Sequence, residues 1–172
     1  MKVLILTGEV RTGKTTLLMK LFKNRSGVDG FLTPDVDGLR KYLDLADGRL
    51  YDFQTEGLQT ADDVSVGRFV FRKEIFEKGN SKLSQMPVPE VKIMIVDEIG
   101  KLETAGKGFA SGLENFIGKN CDKNLILLAV IRDYLVGDAV RTYGLGHAVI
   151  VRIDEPEAES MIREFCGFEP EN

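Results

Sequence analysis

Histidine and cysteine are scarce in this chain of 172 residues, which has one of the former and two of the latter. Cys121 and Cys166 show no Cys-x-x-Cys or other metal-ligand spacing, and two cysteines cannot make a disulfide framework. Both read as buried thiols of a reducing compartment. His147 has no partner cluster and reads as structural. Long apolar runs are missing as well. The longest, Leu125 to Ile131, is far too short to span a bilayer, and Val3 to Leu6 is too short for the core of a signal peptide. Basic charge is not in excess: 23 Lys and Arg stand against 27 acids, a formal net charge of −4. That weighs against non-specific binding to nucleic acid or to a membrane surface. Repeats, low-complexity tracts and obvious linkers are also absent. What remains is an ordinary globular composition, 43% hydrophobic and 29% charged. Residues 1–172 are expected to form one cytoplasmic domain.

The most informative stretch comes first. Lys2 to Leu6 is a short apolar run suited to one strand. Gly8, Glu9, Val10, Arg11, Thr12, Gly13, Lys14 and Thr15 then fit G-x-x-x-x-G-K-[ST] at every fixed position. Leu17, Leu18, Leu21 and Phe22 follow at helical spacing, and residues 24–27 read as the helix stop. A strand, a glycine-containing loop and a helix in this order form a P-loop, or Walker A motif. Glycines let the backbone bend so that successive N–H groups point inward at an anion, beside a helix N-terminus. Lys14 would bring a mobile charge to the β- and γ-phosphates, and the Thr15 hydroxyl can ligate Mg²⁺. Gly8 through Thr15, with Thr16 next, are the candidate phosphate-contacting residues. A nucleoside triphosphate is the expected ligand.

Further along, Gly30–Val36, Leu39–Ala46 and Arg49–Thr55 are short runs separated by Asp-Gly pairs. They predict a small antiparallel meander inserted beside a parallel sheet. Gly57–Asp63 reads as a loop, Val64–Phe71 as a strand and Lys73–Ser84 as a helix. Within that strand, Phe69 and Phe71 are expected to pack in the core. After a break at residues 86–89, Val91–Val96 has the continuous apolar character of a central parallel strand. A helix bearing Phe109, Leu113, Phe116 and Ile117 precedes a second buried strand, Leu125–Ile131. A short helix over Tyr134–Arg141, a strand over His147–Ile153 and a helix over Glu157–Phe165 complete the chain. Strands alternating with helices predict an α/β fold with helices packed on a mainly parallel sheet.

The strand ending at Val96 runs into Asp97 and Glu98. Ligands of open α/β sheets sit beyond the carboxyl ends of the strands, so this pair should share an edge with the P-loop. Asp97 is the natural Walker B carboxylate for the metal. Glu98 is placed to polarise an attacking water. Leu125–Ile131 fits the strand that separates the P-loop and Walker B strands in the glutamate-bearing ATPases. Lys101 could neutralise the γ-phosphate or decorate a turn. Arg132 could act as an arginine finger or simply start a loop, and Arg141 is a weaker candidate.

The run Val96–Glu103, VDEIGKLE, resembles the DEIGKME signature of the small nucleoside-triphosphatases related to the human cancer-related enzyme and its thermophile counterparts. VDGFLT (Val28–Thr33), VGRFVF (Val66–Phe71) and the early loop followed by Thr15 and Thr16 are similar to the same family in the same order. The resemblance implies a three-layer RecA-like P-loop fold with an antiparallel β insertion after the P-loop helix. It also implies Mg²⁺-dependent hydrolysis of several nucleoside triphosphates, ATP and GTP among them, to diphosphate and phosphate. Base selectivity is expected to be loose, since no element reads a base edge. The family loop usually reads GPPGVGKT, whereas Glu9, Val10 and Arg11 stand here for Pro, Pro and Gly. Arg11 is therefore expected in an ordinary backbone conformation, and Glu9 pointing away from the anion. Two alternatives remain at this level. One is a nucleoside or small-molecule kinase with the inserted strands as acceptor site, and the other is a slow nucleotide-dependent switch.

Overall fold

The computed structural model describes residues 1–56 and 63–168, so the loop expected at Gly57–Asp63 lies, but for Asp63, outside the described residues. The chain begins with β1 (Lys2–Gly8) and α1 (Lys14–Phe22), as its local signals require. Then come β2 (Val28–Leu32), β3 (Asp35–Val36), β4 (Leu39–Asp44), β5 (Leu50–Asp52) and β6 (Gln54–Thr55). β7 (Asp63–Val66), β8 (Phe69–Arg72) and α2 (Lys73–Ser84) lead to β9 (Ile93–Ile99). The short α3 (Lys101–Thr104), α4 (Ala110–Asn120) and β10 (Ile126–Arg132) follow. A 3₁₀ turn at Asp133–Leu135, α5 (Val136–Tyr143), β11 (Val149–Arg152) and α6 (Ala158–Phe165) end the described chain.

The main sheet has the order β11-β1-β10-β9-β2-β4-β3, with β5 on β4. Its first five strands are parallel. β10 therefore lies between the P-loop strand and the strand bearing Asp97, the order expected from the sequence. Alternation sorts the core into two layers. Val3 and Ile5 join a cluster with Phe76 of α2, Phe116 of α4 and Ala139 of α5. Leu4 and Leu6 face the opposite side, against Leu18 and Phe22 of α1 and Ile162 of α6. Each Val, Leu, Ile or Phe side chain among these, once removed from water, contributes about 1.5–3 kcal/mol. The result is an α/β/α sandwich with the mainly parallel sheet in the middle.

Several boundaries differ from the sequence reading. The first run of the expected meander is not antiparallel to the core. β2 pairs in parallel with β9, and Phe31 and Leu32 are buried on opposite faces as a central strand demands. Pro34, which lacks an N–H, separates it from β3. β4 then joins the same sheet antiparallel to β2, and β3 and β5 each pair antiparallel with β4. Asp37 and Gly38, both at positive φ, form the two-residue turn between β3 and β4. Val64–Phe71 is a hairpin rather than one strand, because the chain reverses between Val66 and Phe69. Its two strands and β6 make a separate three-stranded sheet. Phe71 packs on Phe53 at 4.8 Å, but Phe69 is exposed, which corrects its core assignment. Cys121 is also exposed, and only Cys166 is partly covered, against the expectation of two buried thiols. His147 is exposed just before β11. Among the described residues, no helix is long and apolar enough to cross a membrane.

Candidate active site

Parallel register sets the site. Gly8 at the end of β1 is level with Arg132 at the end of β10, and Val130 is level with Asp97 on β9. These carboxyl ends form one edge, where ligands of open α/β sheets bind. α1 starts there with Gly13 as its N-cap, no side-chain cap and no acid in its first turn. Its first N–H groups and the positive end of its dipole favour an anion.

Glu9, Val10, Arg11, Thr12, Gly13 and Thr16 are exposed, Thr15 is half-buried and Gly8 is buried. Arg11 has φ 63, which corrects the ordinary conformation expected for it. Backbone nests that gather N–H groups around an anion use left-handed residues of this kind, and the sequence reading did not allow for one here. For a side chain other than glycine the left-handed conformation costs about 1–2 kcal/mol. Lys14 is buried at the loop's centre. Its ammonium donates to the carbonyls of Gly8 at 2.9 Å and Glu9 at 2.5 Å, and to the Thr12 hydroxyl at 3.2 Å. Burial lowers its pKa, while the nearby carboxylates of Glu98, Asp97 and Asp133 act the other way.

Asp97 is completely buried. Its Oδ2 accepts from the Thr15 hydroxyl at 2.8 Å and from the Thr33 N–H at 3.0 Å. Its Oδ1 is buried without a hydrogen-bond partner. Burial raises the pKa of this carboxyl against the Thr33 N–H bond, and Glu98 adds to the rise. No group of three or more His, Cys, Asp or Glu that could cage a metal occurs among the described residues. A hydroxyl beside a carboxylate with one unsatisfied oxygen does fit Mg²⁺, which takes one or two protein oxygens and completes its shell with phosphate and water.

Glu98 follows within β9, which runs on through Ile99 rather than ending at Val96. Its Oε1 accepts from Arg132 Nε at 2.7 Å and pairs with Nη2 at 2.5 Å. Arg132 is therefore neither a free finger nor an ordinary exposed arginine. Lys101 is exposed at the start of α3, with its ammonium 5.9 Å from the ring centre of exposed Tyr134. Arg141 pairs with Asp138 on the outer surface of α5, which leaves it no evident part in the site.

Three residues of this edge escaped the sequence reading. Thr33 supplies the N–H on Asp97, and Arg40 of β4 donates to the Thr33 carbonyl and hydroxyl at 3.1 and 3.3 Å. A polar residue closing β2 was the available signal, hidden because β2 was assigned to the meander. Glu103 is buried and accepts from the N–H groups of Gly100 and Phe109, fixing the turn after Glu98.

Comparison with known proteins gives a consistent result. A family model described as NTPase matches residues 3–162. The chain is 27% identical over 176 residues to nucleoside-triphosphatase THEP1 of Thermotoga sp. (strain RQ2), covering 97% of this chain and 94% of that one. It is 31% identical over 127 residues to the THEP1 of Archaeoglobus fulgidus, covering 69% and 72%. The solution structure of a human cancer-related nucleoside triphosphatase matches with a TM-score of 0.69 at 22% identity, covering 97% of this chain and 96% of that one. The structural likeness shows a shared P-loop fold, and the family match runs from β1 into α6. The chain belongs to the NTPase family.

Proposed function

We propose that this protein is a Mg²⁺-dependent nucleoside-triphosphatase, acting as one domain, that hydrolyses its substrates to nucleoside diphosphate and phosphate. The observation that carries the reading is the Thr15–Asp97 hydrogen bond beside the phosphate loop, with Glu98 next in the strand. Loop N–H groups and Lys14 would hold the phosphate chain, and Thr15 with Asp97 would hold the metal. Mg²⁺, when bound, neutralises charge on the β- and γ-phosphate oxygens. Glu98 Oε2 would take a proton from water as the water oxygen bonds to the γ-phosphorus. The bond from that phosphorus to the β,γ-bridging oxygen breaks, and the diphosphate leaves with the electron pair. Arg132 holds the other oxygen of Glu98 through two donors, which fixes the carboxylate's direction. Lys101 lies at the rim, where it would add a second positive charge.

Every assigned contact is to phosphate, metal or water, which supports loose base selectivity. Incubation with each of the four common ribonucleoside triphosphates and Mg²⁺, without any acceptor, tests both points. Equal yields of phosphate and diphosphate are expected, at rates within about tenfold of one another, or ~1.4 kcal/mol. Diphosphate formed only after an acceptor is added would establish a kinase instead. A strong preference for one base would reveal a base pocket.

A further inference from the structure

The antiparallel part of the sheet reaches the metal carboxylate through one side chain. Thr33 follows the last residue of β2 and is 96% buried, with only 4% of its surface exposed. Its N–H is one of the two donors on Asp97 Oδ2. Pro34 follows and has no N–H, so the chain cannot continue the β2 ladder there. Beside the Leu32–Leu43 pairing and the Lys41 N–H bond to the Pro34 carbonyl at 2.9 Å, Thr33 is braced by Arg40 of β4, whose Nη1 donates to its carbonyl and to its hydroxyl oxygen. Arg40 is itself fixed at two places. It pairs with Asp35 in the β3–β4 hairpin, and its N–H donates to Gln54 Oε1 at 3.3 Å.

We propose that Arg40 is a positioning residue for the metal site, bracing Thr33 so that its N–H stays on Asp97 Oδ2 and the carboxylate keeps its orientation beside Thr15. The proposal rests on the site assigned above and adds to it a function for the extension β3–β5, which would otherwise only widen the sheet. Asp97 is wholly buried and cannot be steadied by water, so its orientation depends on the Thr15 hydroxyl and the Thr33 N–H. Loss of Arg40 removes the side-chain brace on the Thr33 carbonyl and hydroxyl and loosens the Thr33 N–H on Asp97. Outer-shell partners of this kind typically change metal affinity by about 10- to 100-fold. Lysine at the same position keeps the charge and can reach one acceptor, although it lacks the guanidinium's fork.

The test is a calorimetric titration of Mg²⁺ into protein saturated with a non-hydrolysable triphosphate analogue. It is carried out on the wild type and on Arg40→Ala, Arg40→Lys and Asp97→Asn, beside analogue affinity measured without metal. Arg40→Ala is expected to weaken Mg²⁺ binding by about 10-fold or more, with metal-free analogue affinity unchanged. Arg40→Lys is expected to recover part of the loss, and it also serves if the alanine variant does not fold. In steady-state assays the Mg²⁺ concentration for half-maximal rate should rise while KM at saturating metal stays constant. Unchanged Mg²⁺ affinity in both Arg40 variants, with Asp97→Asn weakened, would overturn the proposal alone. Unchanged affinity in Asp97→Asn would overturn the site assignment and the proposal with it.

Discussion

At the scale of single residues, the phosphate loop combines a legible motif with an illegible conformation. The spacing of Gly8, Gly13, Lys14 and Thr15 is local, so it is visible in eight consecutive letters. The left-handed backbone of Arg11 is concealed by the identity of the residue, since a side chain other than glycine rarely adopts positive φ. Arg11→Gly should therefore relieve about 1–2 kcal/mol of strain. The glycine also gains freedom in the unfolded chain, which offsets about 0.5–1 kcal/mol. The expected net effect is a change in melting temperature equivalent to a gain of about 0–1.5 kcal/mol. Turnover should change by no more than about tenfold. A clear loss of stability by thermal denaturation would show that the arginine side chain makes contacts that outweigh its backbone. The Glu98–Arg132 pair was illegible for a different reason. Its partners lie 34 residues apart and meet only because β9 and β10 are neighbours. Each was recognisable as a candidate, but the bond between them was not.

At the scale of elements, the first strand and the helices other than α3 were readable because their signals are short-range, such as the apolar spacing of Leu17, Leu18, Leu21 and Phe22 in α1. β2 was not, because its partner in the sheet is β9, more than sixty residues away in the case of Asp97 and Thr33. The physical marker of that pairing is Gly30, which is opposite Ile95. A Cβ at Gly30 would lie 2.0 Å from the Ile95 carbonyl oxygen and 2.7 Å from its nitrogen, and φ is 105 there. Both neighbours are backbone atoms of the central strand and cannot swing aside. Gly30→Ala should therefore cost at least about 2 kcal/mol, among the larger effects of single substitutions. Urea denaturation would measure it, and a change below about 0.5 kcal/mol would contradict the close approach of β2 to β9. The same strand carries Thr33 toward Asp97, so surviving protein should also bind Mg²⁺ less well.

For the whole molecule, burial of weak acids gives a pH dependence with a definite sign. Burial, with Asp44 nearby, raises the pKa of Tyr42 beyond its ordinary range, and burial beside Glu103 does the same for Tyr143. Burial pushes the Cys166 thiol up to about 12. Each group holds its proton more tightly folded than unfolded. Its contribution is complete below the unfolded pKa and is lost as pH rises from there toward the folded value. The melting temperature should fall as pH passes about 9, where thiols and then phenols of the unfolded chain ionise. A melting temperature constant up to pH 11 would contradict this. The proposed hydrolysis rests on Glu98, and one paired measurement tests it most directly: triphosphate affinity by calorimetry and phosphate release at saturating Mg²⁺ nucleotide, in the wild type and in Glu98→Gln. The substitution keeps the side chain's shape but removes the oxygen proposed to take the water's proton. Affinity is expected to stay within about threefold, while phosphate release falls by about 10²–10⁴, the range for a positioned general base, or roughly 2.7–5.5 kcal/mol of barrier. A Glu98→Gln protein that binds as tightly and releases phosphate at the wild-type rate would contradict the account.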